Sequence, residues 1–211
     1  MIFADRRAAG AALAGRVADL GLAGALVLGL PRGGVPVAER VATRIGAGLD
    51  IVVARKIGSP GRPEFGLGAI AEDGPPVFDP VNLRSAGVTE AELAPVVAAE
   101  RAELRRRIRD YRGDRPAPQV GGREVVLVDD GLATGVTARA AIAWLRGHGA
   151  ARVVLAVPVC SPAARDALAA VAEVVCVSAP ERFTAVGQWY EDFAQLTDAD
   201  VTTVLSEFIR C

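Results

Sequence analysis

The sequence predicts an α/β protein: a mainly parallel sheet flanked by helices. Three observations carry this. Short apolar runs alternate with stretches of helical period through most of the chain, as in a sheet covered on both faces. Apolar residues make up 51% and aromatic residues only 5%, with Ala, Val, Leu and Gly dominant, which disfavours a β-sandwich. At 211 residues the chain is long enough for a single domain with a sizeable core.

Asp5 is placed to cap a first helix running to about Leu20, with Leu13, Val17 and Leu20 on one face. Ala25–Leu30 reads as a buried strand, Gly33–Ile45 as a helix and Asp50–Ala54 as a second strand. Arg55–Gly74 is rich in Gly and Pro and lacks a period, so it reads as a long mobile loop with at most a short strand at Leu67–Ala71. Thr89–Arg112 has helical spacing at Leu93, Val97, Leu104, Ile108 and Tyr111. Its other face carries Arg101, Arg105, Arg106, Arg107 and Arg109 beside Glu100 and Glu103, read as a solvated face with charge pairs one turn apart. After the break Asp114–Gly122 come strand–helix steps at Glu124–Asp129 with Ala138–Arg146 and Arg152–Val159 with Pro162–Val171, then a strand at Glu173–Ser178. Ser161-Pro162 is a helix start, so Ser161 is assigned a capping role. An aromatic, irregular stretch, Phe183–Leu196, precedes a last helix near Asp198–Ile209.

Net charge is −1, so nothing global draws the chain to nucleic acid or to an anionic membrane. The first fifteen residues do not form a secretory signal, and no apolar run is long enough to span a bilayer. The three cysteines (Cys160, Cys176, Cys211) are far apart and the only histidine is His148, which argues against zinc or a disulfide framework. Two thiols buried on strands and a third at the end suit a reducing cytoplasm.

The chemistry concentrates after the apolar run Glu124–Val128. Two acids, Asp129 and Asp130, are followed by Gly131-Leu132-Ala133-Thr134-Gly135-Val136-Thr137 and then a helix. Ligands of open α/β sheets bind beyond the carboxyl ends of strands. A Gly/Thr turn at a helix N-terminus offers amide donors, hydroxyls and the positive dipole end, an anion site suited to phosphate. The two acids suit vicinal hydroxyls or a hydrated Mg²⁺. No lysine is present for a Walker A loop, and Gly66–Ala71, which matches GxGxxA, opens no helix.

Val125–Thr137 resembles the 5-phosphoribosyl-1-pyrophosphate (PRPP) signature of type I phosphoribosyltransferases. The resemblance implies that family's fold with a small hood, here about residues 179–211 of a single domain, and a flexible loop at 55–74. It implies that Asp129 and Asp130 hold the ribose hydroxyls, with Mg²⁺ near them, directly or through water. Ala133, Thr134, Gly135, Val136 and Thr137 would cradle the 5-phosphate. Leu30-Pro31-Arg32-Gly33-Gly34 resembles the pyrophosphate loop, in which Arg32, Gly33 and Gly34 would act with Arg55. Arg55-Lys56 resembles the pair that opens the catalytic loop of adenine-type members, and Gly58, Gly61, Gly66 and Gly68 would let that loop move. Phe183–Phe193 resembles the hood of purine-type members, with Phe183, Trp189, Tyr190 and Asp192 facing the acceptor; core packing is the alternative for each aromatic ring.

The reaction that this resemblance implies is transfer of the phosphoribosyl group from PRPP to a purine- or pyrimidine-like base, with release of pyrophosphate. The catalytic set would be Asp129, Asp130, Lys56 and Glu72. Hypoxanthine-type members carry an aspartate in the phosphate loop where this chain has Ala133, so proton transfer is sought elsewhere. Glu72 is the first choice, contacting the acceptor when the loop closes, and Glu64 the second. The alternative is a non-catalytic PRPP- or nucleotide-binding regulator of the same fold. The family often forms homodimers, and PRPP and a small base are the expected partners.

Overall fold

A computed structural model describes residues 1–22 and 24–210, without the side chains of residues 209 and 210. In chain order the elements are α1 (Arg6–Ala18), β1 (Leu26–Gly29), α2 (Gly34–Ile45), β2 (Gly48–Ile51), β3 (Ala54–Ser59), β4 (Arg62–Ala71), β5 (Val77–Phe78), α3 (Pro80–Ala86), α4 (Ala94–Arg112), β6 (Glu124–Val128), α5 (Val136–Gly147), β7 (Arg152–Val159), α6 (Pro162–Ala169), β8 (Glu173–Ser178) and α7 (Asp198–Arg210). The central sheet has the order β2-β1-β6-β7-β8, and every pairing in it is parallel. A smaller antiparallel sheet has the order β3-β4-β5.

Alternation along the central strands sorts the core into two layers, because successive side chains of a strand point to opposite faces. Val27, Val126, Val128, Val154 and Ala156 face one layer, filled by Leu13 and Val17 of α1, Val37 and Val41 of α2, and Leu104 of α4. Leu28, Val125, Leu127, Leu155 and Val157 face the other, filled by Ile142 and Leu145 of α5 and Leu168 of α6. Leu28, Leu127, Leu145 and Leu13 are fully buried, and each such side chain contributes about 1.5–3 kcal/mol of transfer free energy. The predicted parallel sheet with helices on both faces is the observed one.

Local signals set several boundaries. Asp5 accepts a hydrogen bond from the Ala8 amide at 2.7 Å, and Ser161 accepts one from the Ala164 amide at 3.1 Å. Both cap as expected. Asp79 does the same for α3, a helix not expected from the sequence although Asp79-Pro80 repeats the Ser161-Pro162 pattern. On α4, Glu103 pairs with Arg106 and Arg107, as expected of a solvated face. Cys160 is buried and Cys176 half-buried on β8, while Cys211 lies outside the described residues.

One expectation needs correction. Arg55–Gly74 is not a long loop: β3 and β4 pair antiparallel from Ala54↔Ala71 to Ser59↔Arg62, with an irregular register around Gly58. Ile57, Leu67 and Ile70 fill one core layer and Ala69 and Ala71 the other. Glycine weakens helical and strand periodicity alike, so a ribbon carrying Gly58, Gly61, Gly66 and Gly68 reads as unstructured. Here Gly68 serves close approach: a Cβ on it would lie 2.5 Å from the Val77 carbonyl oxygen.

Candidate functional site

The strand order decides the site. β1 lies beside β6, so the turn after β1 and the turn after β6 leave the sheet side by side. The Leu30 amide donates to the Val128 carbonyl at 2.8 Å, and the chain then turns through Pro31–Gly33 into α2. A Cβ on Gly33 would stand 1.9 Å from Asp130 Oδ2, and one on Gly34 2.5 Å from the Val128 carbonyl oxygen. Only glycine permits this approach. The Arg32–Gly34 turn and the acid pair thus form one surface.

Asp129 Oδ1 accepts from the Asp130 amide at 2.9 Å, and Asp130 Oδ2 accepts from Arg6 Nε at 2.8 Å. The other oxygen of each carboxylate accepts no hydrogen bond among the described residues. Burial pushes both carboxyls above the usual range. At Asp129 the charge of Asp130 adds to the rise, and the Arg6 guanidinium opposes it at both acids.

The turn Gly131–Gly135 is pinned from β7. The Leu132 amide donates to the Val159 carbonyl at 3.0 Å, the Ser161 amide to Leu132 at 2.8 Å, and Ser161 Oγ to the Ala133 carbonyl at 2.7 Å. Ser161 therefore caps α6 and braces the turn with one hydroxyl. Ala133 and Thr134 are exposed, Val136 and Thr137 half-buried, and Gly135 adopts φ +71 at the start of α5. The first amides of α5 have no intrahelical partner, so this turn can bind an anion.

A cleft of 590 Å³ runs from Pro31 along the hairpin, lined among others by Arg55, Lys56, Glu64, Glu100 and Arg107. Arg55 is held by Glu100 at 2.6 Å, and Lys56 Nζ donates to the Glu64 carbonyl at 3.2 Å. Arg32 leans toward Asp198, with Nη1 3.6 Å from Oδ1.

Two expected site residues are placed otherwise. Glu72 is not carried on a loop free to close over an acceptor. It is 5% exposed, its Oε1 accepts from the Val53 amide at 2.8 Å, and both its oxygens pair with Arg112. It borders a separate 530 Å³ cleft with Asp73, Arg101, Trp144 and His148. Tyr190 does not offer its ring to an acceptor: it is buried against Phe3 and Phe193, and its hydroxyl donates to the Asp130 carbonyl at 2.6 Å. Phe183 and Trp189 are half-buried and stacked on each other, centroids 6.4 Å apart. Asp192 is exposed and accepts from the Ala194 amide. Helix α7, expected within the hood, packs Val201 and Leu205 into the core instead.

A family model for the phosphoribosyl transferase domain matches residues 6–189. The chain belongs to the type I phosphoribosyltransferase family. Two curated relatives from Mycobacterium tuberculosis strains, both named "Putative phosphoribosyl transferase", are 45% identical to this phosphoribosyltransferase-family chain over 210 residues, which is 99% of this chain and 47% of theirs. It therefore spans about half the length of the curated relatives it matches. The crystal structure of TT1426 from Thermus thermophilus is 50% identical, with a TM-score of 0.84 over 99% of both chains. A hypoxanthine phosphoribosyltransferase from Staphylococcus aureus, 12% identical over 87% of this chain and 80% of its own, has a TM-score of 0.50 and shares the fold alone. Among the described residues of this phosphoribosyltransferase-family protein, no helix is long and apolar enough to cross a membrane.

Proposed function

We propose that this chain transfers the 5-phosphoribosyl group of PRPP to a purine- or pyrimidine-like nitrogenous base and releases pyrophosphate. The observation that supports this is the close approach of Gly33 to Asp130, which brings the turn after β1, read as the pyrophosphate loop, against the acid pair, read as the ribose ligand. In this reading the uncommitted oxygens of Asp129 and Asp130 accept from the ribose hydroxyls. The turn Ala133–Thr137 takes the 5-phosphate on the amides of α5. Arg55, Lys56 and the Arg32–Gly34 turn hold the leaving pyrophosphate.

A nitrogen of the base then attacks C1 as the C1–oxygen bond to pyrophosphate breaks. Positive charge grows on the ribose ring, and Asp129 and Asp130 face it; burial, which disfavours their ionised form in the empty site, makes a positive partner there worth more, so they stabilise that state more than the ground state. Proton removal from the base falls to a carboxylate that can reach it. Glu64, exposed on the cleft wall, takes the place first expected of Glu72.

Two adjacent carboxylates with uncommitted oxygens and, among the described residues, no third acidic, His or Cys ligand fit a hydrated Mg²⁺ shared with phosphates. Held by Asp129 and Asp130 directly or through water, such an ion would offset the charge of the departing pyrophosphate. A cytoplasmic place in nucleotide metabolism and a homodimeric assembly belong to the same reading.

The test is incubation of the protein with PRPP, Mg²⁺ and a panel of nitrogenous bases while pyrophosphate release is followed. Base-dependent release is expected. PRPP binding with no release for any base would favour the non-catalytic regulator, and no PRPP binding would overturn the transferase reading.

A further inference from the structure

Asp130 is held at more points than a ribose-binding carboxylate requires. Arg6 Nε donates to its Oδ2 at 2.8 Å, and the Arg6 side chain is only 11% exposed. The same guanidinium donates through Nη1 to the Ala194 carbonyl at 2.9 Å and lies 3.9 Å from the centroid of the Phe193 ring. Phe193 packs on Tyr190 at 4.9 Å, and the Tyr190 hydroxyl returns to the Asp130 carbonyl at 2.6 Å. The contacts close a ring from the Asp130 side chain through Arg6 and the segment Tyr190–Ala194 back to the Asp130 backbone.

The amino-terminal segment places Arg6 in this ring. The Phe3 amide donates to the Trp189 carbonyl at 2.8 Å, and the Glu191 amide to the Phe3 carbonyl at 2.8 Å. The Asp192 amide donates to Ala4 at 2.9 Å, and Asp5 caps α1 immediately before Arg6. The first residues are thus zipped to the hood, and the first residue of α1 is aimed at the acid pair.

We propose that Arg6 is the positioning residue of the ribose-binding acid pair, and that through it the hood over the acceptor and the PRPP clamp act as one unit. This rests on the proposed function. Two adjacent carboxylates repel, and a guanidinium on one oxygen fixes the rotamer of Asp130 while its planar donors continue to the hood. The other oxygen of Asp130 stays directed to the sugar. Arg6 touches no reacting atom in this scheme: it acts through Asp130.

The experiment compares unaltered protein with Arg6→Ala and Arg6→Lys by calorimetric titration with PRPP and, separately, with inorganic pyrophosphate, which lacks the ribose. Losing a charge-assisted contact on the ribose ligand should weaken PRPP binding about 10- to 100-fold in Arg6→Ala. Pyrophosphate affinity should change less than about twofold, and Arg6→Lys should fall between the two proteins. Millimolar guanidinium should restore part of the PRPP affinity of Arg6→Ala, which damage to the fold would not allow. If Arg6→Ala is poorly folded, Arg6→Lys carries the comparison alone. Equal PRPP affinity in the variant and the unaltered protein, or parallel loss of PRPP and pyrophosphate binding, overturns the positioning role and leaves the proposed function standing. If the unaltered protein binds pyrophosphate but no PRPP, the proposed function fails and the role of Arg6 falls with it.

Discussion

Glu72 and Arg112 form an ion pair inside the protein. Arg112 Nη2 lies 3.0 Å from Glu72 Oε1, with side chains 3% and 4% exposed. Arg112 Nη2 also donates to the Ile51 carbonyl, and Glu72 Oε1 accepts from the Val53 amide. The pair therefore ties α4 to the end of β2 and the start of the β3–β4 hairpin. Removing one partner strands a buried charge, so Glu72→Ala should destabilise by about 3–5 kcal/mol, read as a lower denaturant midpoint. PRPP affinity of the folded fraction should persist. An unchanged midpoint, or lost affinity at full stability, would contradict this assignment.

Gly33→Ala tests the junction of the two loops. The added methyl would need the Asp130 carboxylate to move, because it would come within 1.9 Å of Oδ2. PRPP affinity should fall at least about tenfold, since roughly 1.4 kcal/mol of lost contact suffices for that. The unfolding midpoint should move less, as the clash falls on a side chain at the mouth of the site and not on the core. Calorimetry beside thermal melting separates the two effects.

Gly135→Ala tests the phosphate turn. Gly135 sits at φ +71, and a Cβ there would meet Leu168 Cδ1 at 2.6 Å. Strain of about 1–3 kcal/mol is expected, with loss of 5-phosphate binding measured with ribose 5-phosphate. Gly147→Ala, where a Cβ meets nothing within 4 Å, is the control and should leave stability within about 1 kcal/mol of the unaltered protein. Equal melting temperatures for the two variants would refute the strain argument.

Asp198 gives a pH dependence. The Tyr111 hydroxyl, 2.5 Å away, holds its carboxyl below the usual range, with Arg107, Arg32 and Arg106 adding to this against burial. A depressed carboxyl stabilises the folded state above its unfolded value, about 3.9, and that stability is lost as pH falls through the lower folded value. Tyr111 runs the other way: burial, then its bond to Asp198, pushes the phenol up to about 12. Its unfolded form ionises first, so stability declines as pH rises above about 10. Asp198→Asn should flatten the acid limb of melting temperature against pH. An acid limb identical in variant and unaltered protein would rule the pair out as its source.

Much of the site was legible because its residues are contiguous. The chain from Val125 to Thr137 encodes strand, acids, turn and helix start within one stretch, and local rules place each part. Ser161 and Asp5 were legible as caps for the same reason. The β3–β4 hairpin was not, because Gly58 and Gly68 serve approach to neighbouring strands and its four glycines leave no period. Glu72 was assigned to the acceptor because its partner, Arg112, is remote in sequence and resembles the solvated arginines beside it.

The sequence by itself determined the α/β class, the strand–helix steps from β6 to β8 and the run of strand, acid pair and glycine turn into α5. All of these follow from side-chain periodicity and backbone preference over a few neighbouring residues. Only the tertiary structure decided that β1 would lie beside β6, that Gly33 would meet Asp130, and that Arg6 and Tyr190 would hold that acid. Those contacts join segments far apart in the chain. Their energy comes from packing and charge pairing that exist only once the sheet has assembled.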